Sequence, residues 1–153
     1  MRMPRATPIA PARIDMLGWT LSELLVSLAL MAVLAAVALP AFHAQQRQAR
    51  RIDAQSALQQ LQLDQARWRS THDSHATELS SLGWQSDRSP AGHYQIQIES
   101  ATADGYTLSA SPVGAQSADT ACRPMRLQLL HTASVVLSSG SDLATDPARC
   151  WRQ

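Results

Sequence analysis

The 153-residue sequence predicts an α+β fold, in which a long N-terminal α-helix with an apolar first half packs against a four-stranded antiparallel sheet. Three observations carry that expectation. An apolar run over residues 24–39 leads through Pro40 into a stretch, residues 43–69, that contains neither Gly nor Pro. After Ser70 the composition shifts to Ser, Thr, Gly and Asp, which ends the helix. Beyond His93 apolar and polar residues alternate with a period of two, the signature of half-buried strands.

The helix comes first. From Leu24 to Leu39 the chain reads LLVSLALMAVLAAVAL, without a charge or a glycine. Extending back to Trp19 adds one charge, Glu23, and approaches the ~20 residues an α-helix needs to cross a bilayer. Arg2, Arg5 and Arg13 lie upstream, the cytoplasmic flank that the positive-inside rule requires. A secretory signal is the rival reading, with Ala36-x-Ala38 as its cleavage site and Leu39 as the new start. It accounts for the end of the run but has no use for Glu23. A charge inside a spanning helix costs roughly 2.5–3.5 kcal/mol on insertion scales, so it is normally partnered. No basic residue lies between Trp19 and Leu39. Glu23 therefore either snorkels to water or meets a partner on another chain.

Pro40 removes a backbone donor and clashes with the preceding turn, so the helix must kink or end there. Residues 43–69 are rich in Ala, Gln, Leu and Arg, all good helix formers, which favours a kink. Ala54, Leu58, Leu61, Gln65 and Trp68 recur at helical spacing and predict a buried stripe. Arg47, Arg50 and Arg51 follow the span. They read better as a solvated basic face than as a nucleic-acid or lipid contact, because Asp53 and Asp64 interrupt the charge and no aromatic platform accompanies them in sequence.

After the helix, Thr77-Glu-Leu-Ser-Ser-Leu-Gly83 predicts a short helical turn with Thr77 as N-cap and Gly83 beyond its end. Tyr94, Ile96 and Ile98 alternate with Gln95, Gln97 and Glu99 as a first strand. Asp104-Gly105 signals a hairpin turn, and Tyr106, Leu108 and Ala110 form the inward face of a second strand. Met125–Leu130 and Ser134–Ser138 give a third and fourth, joined by His131-Thr132-Ala133.

Gly18-Trp19-Thr20-Leu21-Ser22-Glu23-Leu24-Leu25 resembles the processing motif of type IV pilins and type II secretion pseudopilins, usually written G-F-T-L-I-E. The resemblance implies that a prepilin peptidase cuts between Gly18 and Trp19 and that Trp19 is then N-methylated. It implies that Glu23, fifth in the mature chain, meets the amino terminus of a neighbouring subunit during assembly. Pro40 matches the proline the family places near the end of the apolar run. Trp19 stands for the usual Phe, Ser22 for the usual Ile, and Leu17 for a commonly basic residue. The resulting organisation is a leader at 1–18, a membrane-spanning and filament-core helix at 19–42, an amphipathic helical half at 43–69, and a β head at 70–153 with a disulfide-bounded loop.

Cys122 and Cys150 bracket the last hairpin of a chain that such a leader carries out of the cytoplasm, where disulfides persist. Two cysteines allow a single intrachain pairing, and closing a loop of this length stabilises by roughly 3.5 kcal/mol in the chain-entropy model. In the family such a bridge encloses a surface loop that governs interactions. The stretch Tyr106-Thr-Leu through Asp119-Thr-Ala-Cys122 and the closing Cys150-Trp151 resemble PilE-type subunits, and point to a minor pilin more than to a pseudopilin.

Other classes are poorly supported. Removing the leader takes Arg2, Arg5, Arg13 and Asp15 from 13 basic and 12 acidic residues, leaving 10 and 11. A near-neutral chain gives no electrostatic reason for strong nucleic-acid binding. His72-x-x-His75 reads as a loop pair rather than a metal site, and no phosphate loop or nucleophile elbow is present. No catalytic residue, metal or cofactor is expected. The expected partners are other pilin subunits, the prepilin peptidase, the inner membrane and the pilus assembly machinery, with nucleic acid unsupported. A single-pass inner-membrane precursor that moves to a surface pilus is the expected course. The resemblance leaves adhesion, twitching motility and DNA uptake open, and a secreted or membrane-anchored periplasmic binding domain is the reading from another class.

Overall fold

A computed structural model describes residues 20–131, 134–140 and 147–151. Helix α1 runs from Leu21 to Arg69, with Pro40 inside it. The proline does not end the helix. Packing divides the chain after Pro40 into two units, and each is described by itself.

In the first unit α1 exposes large apolar side chains from Leu21 to Leu39. Among the described residues of this unit nothing covers them, and α1 is long and apolar enough to cross a membrane. Thr20 caps its start, its Oγ1 accepting the Glu23 N–H at 3.3 Å. Within the span the Ser27 hydroxyl is satisfied locally, donating to the Glu23 carbonyl at 2.8 Å.

In the second unit the remainder of α1 lies on a four-stranded antiparallel meander of order β1-β2-β3-β4. The strands are β1 (Tyr94–Ala101), β2 (Tyr106–Pro112), β3 (Met125–Leu130) and β4 (Ser134–Ser139). Tyr94 faces Pro112, Leu108 faces Leu127, and Leu127 faces Leu137, which keeps the apolar alternation in register across the sheet. Ala54, Ala57, Leu58 and Leu61 of α1 meet Tyr94, Ile96, Tyr106, Leu108, Ala110, Met125 and Leu127 in one core. Gln65 lies in the stripe as expected, while Trp68 is only half-buried. A register shift between Ile98 and Ser100 bends the end of β1.

Two turns differ from the expectation. The short 3₁₀ turn spans Ser80–Leu82, and its N-cap is Leu79 without a side-chain bond, not Thr77. Gly83 follows in the left-handed region at φ 83°, where only glycine sits without strain. The β1–β2 turn is organised by Thr102, whose Oγ1 accepts from Asp104 N at 3.3 Å and Gly105 N at 3.2 Å. Gly105 has no positive φ, so the two-residue turn that Asp-Gly suggests is not formed. Its glycine serves another need: a Cβ there would collide with the Leu129 carbonyl oxygen of β3. Between β3 and β4, His131 takes φ 50°, and Thr132 and Ala133 lie outside the described residues. After β4, helix α2 (Pro147–Cys150) and buried Trp151 bring the chain back to the core.

Candidate functional site

The positions expected to govern processing divide at the edge of the described residues. Gly18, Trp19 and the leader lie outside them. Glu23 sits in the first turn of α1, exposed among Leu21, Leu24 and Leu25. Its carboxylate has no hydrogen-bond or ionic partner among the described residues. With Thr20 it completes a Thr-x-x-Glu sequence, so a local capping contribution accompanies any intermolecular one.

The head is closed by a disulfide between Cys122 and Cys150, whose Cα atoms are 5.6 Å apart. Both ends of the bridged segment are fastened to α1. Arg51 grips Asp119 with two parallel bonds, Nε to Oδ2 at 2.7 Å and Nη2 to Oδ1 at 2.8 Å. Its Nη1 donates to the Arg149 carbonyl at 2.9 Å. One turn on, Gln55 Nε2 donates to the Cys150 carbonyl at 3.0 Å. Buried Gln116 completes the arrangement, donating to the Arg47 carbonyl and to the Tyr94 hydroxyl, each at 3.0 Å. Burial pushes the Tyr94 phenol up to about 12, the Gln116 bond opposing it. Trp151 Nε1 donates to the Ser138 carbonyl at 3.1 Å and seals the C-terminal side.

A second fastening lies on another part of α1. The buried carboxylate of Asp53 accepts from Ser89 Oγ at 2.6 Å, Ala91 N at 3.0 Å and His93 N at 3.2 Å. It thereby holds the turn that feeds β1.

Of the three arginines after the span, Arg51 departs from the solvated face that the sequence suggested. Arg51 is largely buried, its side chain 14% exposed against 6% for Asp119, and serves as a structural tie. Arg47 and Arg50 make no ion pair among the described residues. Neither do Arg88, Arg123 and Arg149, whereas Arg67 pairs with Asp64 and Arg126 with Glu99. Arg123 and Arg149 each adjoin one cysteine of the bridge, so the backbone brings them together.

Sequence reasoning missed an aromatic surface next to some of these cations. In the connection between α1 and β1, an open hollow of about 420 Å³ is lined by Leu82, Trp84, Arg88 and Pro90. Across Asp64 and Leu82 lies another of about 360 Å³, lined by Arg67 and Trp68. Asp64 orients both sides, accepting from Trp84 Nε1 at 3.0 Å and from Arg67 Nη1 at 3.0 Å. These residues, Asp64 to Pro90, are up to 26 positions apart, and only the folded chain assembles them. His72 and His75 do not converge. His72 stacks on Trp68 with centroids 3.6 Å apart, and His75 is buried against Tyr106. No metal-binding cluster of His, Cys, Asp and Glu occurs among the described residues.

Residues 40–126, more than half of the chain, match the family model described as "Type IV minor pilin ComP, DNA uptake sequence receptor". A comparison with curated proteins finds no match.

Proposed function

We propose, from the premise that this chain belongs to the ComP family of type IV minor pilins, that it is a minor subunit of a type IV pilus acting in DNA uptake. The family match is the observation that carries the reading. It covers the second half of α1 and the sheet through Arg126, and the described receptor is a pilin rather than a pseudopilin. Pilins are structural subunits and not enzymes.

In this reading residues 1–18 are a leader removed by prepilin peptidase at Gly18, and Trp19 becomes the methylated amino terminus. The span to residue 42 anchors the precursor in the inner membrane and then enters the filament core. Glu23, without a side-chain partner among the described residues, pairs with the amino terminus of a neighbouring subunit. Residues 43–69 carry the β head, which stands on the filament surface.

The hollows in the α1–β1 connection supply the DNA contact. Arg88, which makes no ion pair among the described residues, faces phosphate, with the Trp84 ring beside it and Arg67, shared with Asp64, at the edge. With few arginines lining the hollows, the contact neutralises few phosphates, so binding is modest and its salt dependence shallow. Arg88→Ala then weakens binding across sequences and lowers the salt slope by about 1.

A deletion strain tests the function. Piliated cells that secrete normally but no longer take up DNA support the reading. Bald cells assign the chain to assembly, and intact pili with lost protein secretion assign it to a pseudopilus.

A further inference from the structure

His75 lies in the connection between α1 and β1, with its side chain only 5% exposed. Neither ring nitrogen has a hydrogen-bond partner. The ring stands edge-on to Tyr106 of β2, centroids 4.8 Å apart at 76°. The backbone around it is tied in two directions. His75 N–H donates to the Thr102 carbonyl of the β1–β2 turn at 3.1 Å. Ala76 exchanges two bonds with fully buried Gln65 of α1, its carbonyl accepting from Nε2 at 2.7 Å and its N–H donating to Oε1 at 2.9 Å.

We propose that His75 is an acid-sensitive latch on the segment 70–79, holding the connection against helix and hairpin while its ring is neutral. A neutral imidazole in this position leaves one donor and one acceptor unmatched. An imidazolium would bury a full charge and two unmatched donors, at far higher cost. Among the described residues no counter-charge pairs with it. Facing it, α1 contributes the Arg69 cation, whose Nε is also buried without a partner. From β2 comes Tyr106, kept neutral because its own burial raises its pKa. Asp104 in the adjoining turn and Asp73, Glu78 and His72 on the segment itself are exposed, and none pairs with His75.

Burial first, and the Arg69 charge second, hold the His75 pKa below its ordinary 6.5. The Gln65 backbone pulls weakly the other way without bonding either nitrogen. The folded pKa is thus depressed for a base, so the closed segment is fully stabilised above about pH 6.5 and loses stability as pH falls below it. Protonation then favours the open segment, releasing the Gln65–Ala76 and His75–Thr102 bonds.

Hydrogen exchange of the full mature chain in detergent micelles, corrected for intrinsic rates, tests this. The opening equilibrium of residues 70–79 should rise by up to roughly tenfold per pH unit below 6.5, one proton's worth, while β1–β3 stay protected. His75→Phe keeps the edge-on ring and cannot take a proton, so its segment should stay closed in acid. No opening in the wild type, or equal opening in the variant, overturns the proposal. Should the variant fail to fold, the imidazole resonance of wild-type His75 decides. A titration midpoint below the ordinary 6.5 supports the latch, and a midpoint at or above it overturns it.

Discussion

Replacing Arg51 by Met keeps most of the aliphatic stem and removes the guanidinium that holds Asp119. Two short bonds and a third to the Arg149 carbonyl are lost. At a charge-centre separation of about 4 Å, a pair in an effective dielectric near 20 attracts by about 4 kcal/mol. Desolvation of both groups offsets part of that, so the pair's net worth is small. Its rupture is not, because the Asp119 carboxylate, 6% exposed, keeps only Gln116 Nε2, 3.3 Å away, among its side-chain partners. Breaking one side of a buried pair costs about 3–5 kcal/mol. The Arg51 end reaches partly toward solvent, which places the loss near 3 kcal/mol, a large share of the ~5–15 kcal/mol of a typical domain. Urea unfolding of the mature protein in detergent, followed by tryptophan fluorescence with the disulfide intact, measures it. Arg50→Met, which breaks no ion pair among the described residues, should change stability by less than about 0.5 kcal/mol. The double variant Arg51→Met/Asp119→Leu should recover to within about 1–2 kcal/mol of wild type, since no charge is then stranded. If Arg51→Met costs no more than Arg50→Met, the residue belongs to a solvated basic face and the tie is wrong.

Asp53→Ala should cost about 2–3 kcal/mol by the same assay, because the Ala91 and His93 N–H groups lose a charged acceptor; a loss under 1 kcal/mol would mean that water replaces the carboxylate. Gly105→Ala should cost about 1–3 kcal/mol through overpacking against the Leu129 carbonyl, whereas a substitution that stabilises the head would refute the close approach. Cys150→Ser should lower the unfolding midpoint by the equivalent of roughly 2–4 kcal/mol while leaving leader cleavage unchanged. Loss of cleavage in that variant would tie the bridge to processing instead.

The elements built on apolar periodicity were legible in the sequence. Tyr94 and Ile96, then Tyr106, Leu108 and Ala110, are buried where a period of two places them, and Ala54, Leu58 and Leu61 where the helical period does. Polar residues that hold the fold were not. Arg51 and Asp119 are 68 positions apart, and Asp53 and Ser89 are 36. Charge patterning along one helix registers such groups as surface, because nothing local announces a distant partner. Gln65 shows the converse: its place in the stripe predicted burial, but only the Ala76 backbone explains why an amide sits there. The Trp84 surface was hidden for the same reason, its indole being oriented by Asp64 from the preceding helix. At Asp104-Gly105 the sequence correctly marked a turn, while the glycine answers to β3, a strand that local reading does not weigh.

Filament entry through Glu23 separates a pilus subunit from a merely anchored domain. Cleavage after Gly18 would create a positive amine at Trp19, four residues before an acidic side chain with no partner among the described residues. In the proposed staggered stack the amine of an incoming subunit would meet Glu23 of the one already placed, and removing either group would strand the other in an apolar environment. Quantifying the Glu23→Ala subunit in sheared pili and in membranes, against wild type, is the most direct test. The variant should be cleaved and inserted normally, yet be depleted from the sheared fraction, with Glu23→Gln intermediate. Glu23→Ala in sheared pili at wild-type levels would contradict the cross-subunit pairing and leave Glu23 as a capping or snorkelling residue.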